Sequence, residues 1–576
     1  MSSRQSLYNH LDGQSIMDTK ALRAFALANA VKYEGRANQG AVIGQAIGAD
    51  ETLKKDMKAL AKAVAAVIKD ISGMTLEAQI AELQRIAPEL LAPKPKEEKP
   101  RELPTLEGAE EGKVVTRFPP EPSKHLHIGH AVTALINFLE AKRYGGTFVL
   151  RFDDTNPDKC TNAYVDAIRE DLHWLGAMPG KEIFASDHMQ AYYDACVKLL
   201  KASEAYVCFC KQDVMRDLRF KGIACACKDV PVKEHVRHWQ RMLDGQAAPG
   251  ECIVRFVGDM QHPNGTLRDP VIMRIVTAAH YRHGTKYRVW PVYDFQSPIA
   301  EGFGGVTHIL RSAEFDQRIE LQELIKRKLG LPSQDVLQFG RVNVVGALTK
   351  GREIREKIEN GEYVGWDDPR LVTLKALRRR GITPAALHEL VFALGFEKGQ
   401  SNVDWTIIAA MNRKLIDAES KRRFFVADPV HITIANAPAQ SVEIYNHPEH
   451  PELGVRELAA SKDFVITSED ASNLKDGNLY RLMECVNFRK QGSSYVFDSL
   501  DHETYKKQGR GIIHWLPAGG HVPAKVLMPD ATTISGVVEK SAASLPAGTI
   551  LQFERFGFVR LDRIENGIAH FWFAHK

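Results

Sequence analysis

The chain has 576 residues, enough for roughly three to five domains rather than one. With 44% hydrophobic and 26% charged residues it has the balance of an ordinary globular protein, and eight Cys are too few to staple it. A net charge of +4 admits a nucleic-acid partner only through local basic surfaces. The opening MSSRQSLYNHLDGQ lacks the apolar core of a signal peptide, and no run nears the ~18 apolar residues of a membrane span. A cytoplasmic protein that avoids membranes is expected.

From Lys20 to Leu91 apolar residues recur at three- and four-residue spacings among good helix formers, which predicts a helical N-terminal domain over 1–91. Residues 92–104, APKPKEEKPRELP, can bury no face and read as a linker. The texture then alternates strand and helix. KVVTRF and TFVLRFDD are strands, HAVTALINFLEAKRYGG is an amphipathic helix, and Thr161 or Asn162 caps a second helix carrying Val165, Ile168, Leu172 and Leu175. This predicts a Rossmann-type parallel sheet over 105–345. An irregular insertion occupies about 201–288, after which the alternation is expected to resume at RVWPVYDF. Residues 346–424 read as loop and helix, and 425–576 as short strands separated by turns, ending in a hairpin at Asn566–Gly567.

The chemistry concentrates between the first strand and first helix of the α/β unit, in Thr116–Ser123 followed by His127–Ile128–Gly129–His130. Ligands bind such sheets at this place, and two imidazoles at a helix N-terminus can donate to phosphate oxygens. This stretch resembles the HIGH signature of class I aminoacyl-tRNA synthetases. LRFDDTNP, AYVCFC, KYRVWPVYDF, GVTHILRSAEF, GWDDPRL, LRRRGI, RRFFVADPV and QFERFGFVRLD resemble the glutamyl/glutaminyl group. NAVKYEGRANQGAVIGQAIG is similar to the extra N-terminal domain of archaeal glutamyl-tRNA synthetases, so the resemblance covers nearly the whole chain.

The resemblance implies ATP with Mg²⁺, an amino acid and tRNA as substrates, an insertion that binds the tRNA acceptor end, a stem-contact region at 346–424 and two anticodon-binding β-barrels at 425–576. Glutamate and glutamine differ by a carboxylate against a carboxamide. In THILRSAEF the residue after Leu310 is Arg311, where glutaminyl enzymes resemble one another in carrying an uncharged Cys. A buried guanidinium pairs with a carboxylate and is left uncompensated by an amide. Glutamate and tRNA-Glu are therefore expected, with tRNA-Gln a further candidate. The alternatives are a glutaminyl enzyme and a tRNA-binding paralogue without catalysis.

By the same resemblance Arg117, Asp153, Tyr293 and Arg311 meet the amino acid. Pro119, His127, Gly129 and His130, with Leu348, Thr349 and Lys350, hold ATP, and His127, His130 and Lys350 are catalytic. The lysine signature loop departs from pattern in Ala347–Leu348–Thr349–Lys350–Gly351–Arg352: Lys350 stands at the second lysine, Ala347 replaces the first and Gly351 the final Ser. Arg352 is an alternative source of charge. Cys208, Cys210, Cys225 and Cys227 form two C-x-C pairs that suit tetrahedral zinc, with four packed thiols as the alternative. The basic runs Arg378–Arg380 and Lys421–Arg423 are expected to meet tRNA phosphates. With no long heptad in view, a monomer is expected.

Overall fold

The structure, a computed structural model, describes residues 19–33, 35–90, 103–396 and 398–576. Most of the expected linker and the opening segment lie outside the described residues. The chain divides into two compact units, Met1–Pro100 and Arg101–Lys576. Among the described residues no helix is long and apolar enough to cross a membrane.

The first unit is helical: α1 (Thr19–Lys32), α2 (Gln39–Ala49), α3 (Met57–Ile71) and α4 (Leu76–Ile86). Asn38, Asp56 and Thr75 cap the last three by accepting from backbone amides. Leu22, Leu27, Val42, Val64, Ile71 and Leu83 form its core.

The second unit opens on β1 (Val115–Phe118), α5 (Ile128–Arg143), β2 (Thr147–Phe152), α6 (Asn162–Leu175) and β3 (Lys181–Phe184), the three strands pairing in parallel. Thr161 caps α6, whose Val165, Ile168, Leu172 and Leu175 are buried. After α7 (Met189–Lys201) comes the insertion, an antiparallel sheet of β4 (Ala205–Cys208), β5 (Ile253–Phe256), β6 (Val271–Ile275) and β7 (Val289–Pro291), with α8 (Gln212–Lys221) and α9 (Val232–Leu243). RVWPVYDF does not resume the parallel sheet: Val289–Pro291 completes the antiparallel one and Tyr293 begins a helix. Pro291 supplies no amide to extend the strand, and Asp294 sits in the first helical turn, where the helix dipole favours it.

The parallel order resumes after α10 (Tyr293–Gly304), with β8 (His308–Ser312), α11 (Ile319–Leu329) and β9 (Asp335–Phe339). Thr307 N donates to Val115 O at 3.0 Å and Arg117 Nη1 to Leu310 O at 3.4 Å, so β8 runs beside β1 in the same direction. The strand order therefore reverses between β1 and β8. A crevice opens at the carboxyl ends of strands where that happens.

Beyond β10 (Val342–Val344) lie α12 (Gly351–Glu359), α13 (Leu374–Arg380), α14 (Pro384–Leu394) and, after β11 (Ser401–Val403), α15 (Trp405–Ile416). The remainder forms two seven-stranded sheets and a hairpin. In one sheet the two edge strands are Arg422–Arg423 and Phe425–Ala427, neighbours in sequence joined by buried Phe424. In the other the edges are Gly509–Ile513 and Leu516–Pro517, joined through buried Trp515. A sheet whose two edges belong to one short segment must curl on itself, and each approaches a closed barrel. Asn566 and Gly567, with φ of 51° and 75°, make the expected tight turn of the last hairpin.

In the basic runs Arg380 and Arg423 are buried, while the Arg378 and Arg379 side chains are 37% and 33% exposed. Arg379 pairs with Asp562 and Asp367 at 2.8 Å and lies 4.4 Å over the Trp572 ring. Arg380 is buried, stacks 4.1 Å from the Trp405 ring and donates to the Pro369 and Ala574 carbonyls. Arg378 pairs with Glu170, and Arg423 donates to Asn446 Oδ1 at 2.6 Å. Arg379 and Arg380 join the helical region to a barrel, because Asp562 and the Ala574 carbonyl, distant in sequence, converge on them. Arg380→Met should therefore destabilise the fold by about 3 kcal/mol, the worth of two hydrogen bonds to a charged donor. Its affinity for RNA should be unchanged, read by thermal unfolding and a binding titration.

Candidate active site

The loop leaving β1 is tied to its neighbours by backbone bonds: Asp153 N donates to Pro120 O and Thr161 N to Pro122 O, each at 3.1 Å. It delivers His127 as the N-cap of α5. The Gly129 amide donates to His127 Nδ1, and the His127 amide to His130 Nδ1, both at 3.1 Å. Each Nδ1 is thus an acceptor, which leaves the ring proton on Nε2 as a donor. Burial brings His127 down to about 3 and His130 well below the usual imidazole value, so both rings stay neutral. A Cβ at Gly129 would lie 3.1 Å from the His127 ring and 3.3 Å from Val342 O, so any larger residue would crowd both.

A cavity of ≈ 580 Å³ fills the crevice between β1 and β8, and Arg117, Pro119, Asp153, Tyr293 and Arg311 all line it, with His130 at one end. Beneath it lies a buried ionic network. Arg117 Nε donates to both Glu301 oxygens at 3.1 Å, Arg151 Nη1 meets Glu301 at 3.1 Å, and Arg151 Nε donates to Asp153 Oδ1 at 2.7 Å. Gln296 also donates to Asp153 Oδ1, at 2.7 Å. Asp154 turns away and accepts from Ser186 and Tyr281, so the adjacent carboxylates serve different places.

Unlike Arg117, Arg311 is matched by no acid; Arg274, also on the lining, donates to Asn156 Oδ1 at 3.1 Å and likewise meets no carboxylate among the described residues. Arg311 is 5% exposed, donates to Gln322 Oε1 at 2.8 Å and neighbours the Tyr293 hydroxyl and the Phe315 ring. Its Nε has no partner, and among the described residues no carboxylate pairs with it. Burial lowers its pKa from the usual guanidinium value. A buried, unmatched guanidinium on a cavity wall is a receptor for an anion.

A smaller cavity of ≈ 200 Å³ adjoins the imidazole pair and is lined by His127, Gly129, His130, Arg341, Thr349 and Lys350 among others. Lys350 caps α12 and pairs with Glu353 at 2.9 Å. Arg352, 87% exposed, pairs with Glu356 and lines neither cavity. Leu348 packs beside Ile354 and Leu371. Sequence reasoning missed Glu301, Lys124 and Arg341. An acid inside the apolar stretch SPIAEGFG was the one signal for Glu301, and Lys124 stands inside the motif itself.

In the insertion, Cys208 ends β4 and Cys225 precedes a short helical turn containing Cys227. The four sulfurs lie within 4.8 Å of one another, with Cys208 to Cys225 at 3.7 Å and Cys210 to Cys227 at 3.9 Å. Sulfurs ~2.3 Å from a shared tetrahedral ion stand about 3.8 Å apart, so the set fits zinc. Arg255 Nη1 lies 3.5 Å from Cys225 Sγ, where it would offset thiolate charge if a metal were bound.

Residues 113–418 match the model for the catalytic domain of class I tRNA synthetases (E and Q), and 420–498 and 512–562 match anticodon-binding domains of the same group. A glutamate–tRNA ligase of Pyrococcus abyssi is 40% identical over 565 residues, covering 96% of this chain and 98% of its own. That of Pyrococcus furiosus is 40% identical over 567 residues with the same coverage. One from Methanothermobacter thermautotrophicus is 38% identical over 554 residues, again covering 96% and 98%. On the geometry alone, nitrogen NMR should find His127 and His130 as Nε2–H tautomers that do not titrate from about pH 8 to about pH 5. A transition near 6.5 in either ring would contradict the depressed values.

Proposed function

The chain belongs to the class I tRNA synthetases of the E and Q group, and we propose that it ligates L-glutamate to the terminal adenosine of tRNA-Glu through a glutamyl-adenylate. The observation that carries the amino-acid choice is Arg311: Arg117 beside it is matched by Glu301, whereas Arg311 keeps a buried Nε without a partner and meets no carboxylate among the described residues. The γ-carboxylate of glutamate supplies the missing charge, and a glutamine amide does not.

In this reading Arg311 and the Tyr293 hydroxyl take the γ-carboxylate, Arg117 forms the adjoining wall, and Asp153 accepts the substrate ammonium group. The α-carboxylate, already ionised, attacks the α-phosphorus of Mg²⁺-bound ATP, and pyrophosphate leaves. His127 and His130 donate Nε2–H to the phosphate oxygens, contacts that strengthen as charge develops. Lys350, on the rim of the smaller cavity, steadies the leaving group. The 2′-hydroxyl of the terminal adenosine then attacks the glutamyl carbonyl, as class I chemistry implies, forming the ester as the acyl–phosphate bond breaks and AMP leaves with the hydroxyl proton passing to its phosphate or to water.

Leaving a buried charge unpaired costs about 3–5 kcal/mol, a discrimination of about two to four powers of ten. Arg311→Cys should lose glutamate charging by at least about two orders of magnitude and narrow or reverse the preference over glutamine. The measurement is the ratio of kcat/KM for the two amino acids with tRNA saturating. A ratio that does not move would sink the assignment.

Cys208, Cys210, Cys225 and Cys227 would hold a structural zinc that staples the insertion. Purified protein should carry about one zinc per chain, lost together with thermal stability when Cys208 and Cys225 are both replaced by Ser. Full stability in metal-free protein would leave four packed thiols.

A further inference from the structure

The geometry points to Lys124 as a catalytic residue of this site: its ammonium contacts the phosphate chain of ATP and stands in for the lysine that position 347 lacks. This rests on the ATP-dependent reading above and adds to it a cation supplied by the first signature loop rather than the second.

Four observations converge. Lys124 lines both cavities, so it stands at the junction between the arginine-lined crevice and the imidazole pair. Its stem lies over the start of α12, where a Cβ on Gly351 would come 3.0 Å from Lys124 Cδ and 3.4 Å from its Cβ. The loop is held there by Arg355, whose Nη1 donates to Ser123 O at 2.8 Å. Three cations near the imidazole pair are tethered to acids, Lys350 to Glu353, Arg352 to Glu356 and Arg341 to Glu314. Among the described residues no carboxylate pairs with Lys124, and burial draws its pKa below the usual ammonium value.

The departures of the second loop thus belong together. Ala347 offers no cation, and the missing side chain at 351 leaves the space that the Lys124 stem fills. A solvated surface lysine would need neither the space nor the junction. An ammonium here meets phosphate oxygens as pyrophosphate departs, when their charge rises.

The test is Lys124→Met, with ATP affinity read by calorimetry and turnover by tRNA-dependent exchange of pyrophosphate into ATP. Turnover should fall about 100-fold and ATP affinity about tenfold, with an unchanged unfolding midpoint. Lys124→Arg should stay within about tenfold of wild type, and Ala347→Lys added to Lys124→Met should restore at least about tenfold, which a purely structural lysine would not allow. Equal ATP affinity and equal turnover in Lys124→Met would overturn the assignment, as would a loss confined to KM for glutamate. A wild-type protein that binds ATP through Lys124 yet charges no glutamate would sustain Lys124 and remove the function proposed above.

Discussion

The active half of the molecule is organised around Glu301. Its carboxylate, 1% exposed, meets Arg117 from β1 and Arg151 from β2 at 3.1 Å, and Arg151 passes the charge on to Asp153. Three chain segments far apart in sequence are thereby fixed at the carboxyl ends of two neighbouring strands. Removing one member of such a set leaves an uncompensated buried charge, which costs more than the set contributes as a whole. The strand ends, the cavity wall and the direction of α10 all follow from keeping this network neutral. Because it is neutral, the nearby guanidinium of Arg311 is left without an acid of its own among the described residues.

A similar economy governs the phosphate side. Two neutral imidazoles whose Nδ1 atoms are occupied by backbone amides are donors with a set direction, and they need no reorganisation as charge develops. Protonated rings would repel each other at 3.8 Å between centroids, and burial prevents that state. Lys350, by contrast, keeps a side chain 75% exposed at the rim of the smaller cavity, where a full charge is less costly to hold.

Much of the site was legible in the sequence because short motifs carry local geometry. His127–Ile128–Gly129–His130 places cap, glycine and second imidazole within one helical turn, and Arg311 stands near the carboxyl end of a strand that faces the crevice. The cysteine spacing likewise brought four sulfurs together. What was not legible depends on partners remote in sequence. Glu301 lies 184 residues from Arg117, and nothing near either announces the pair. Arg379 and Arg380 read as part of a basic run expected to meet tRNA phosphates, and Asp562 and the Ala574 carbonyl come from the last hairpin to meet them. The Val289–Pro291 strand belonged to the insertion because its pairing partner, β6, was hidden in irregular sequence.

Arg379, Arg380 and Arg423 also bear on how a long RNA is held. A polyanion spanning the crevice and the barrels gains most from a frame whose parts are already fixed, since each loose joint adds an ordering cost to binding. Arg379 and Arg380 reach from α13 to the barrel strands Gly557–Glu565 and Ile568–His575, and Arg423 reaches from the seam of the same barrel to Asn446. Trp405 and Trp572 cover two of these guanidinium faces, and Arg380 is buried beneath the Trp405 ring. Charge that could have attracted phosphates is spent instead on rigidity between domains. Long-range attraction must then come from other cations, in keeping with a net charge of only +4 over 576 residues.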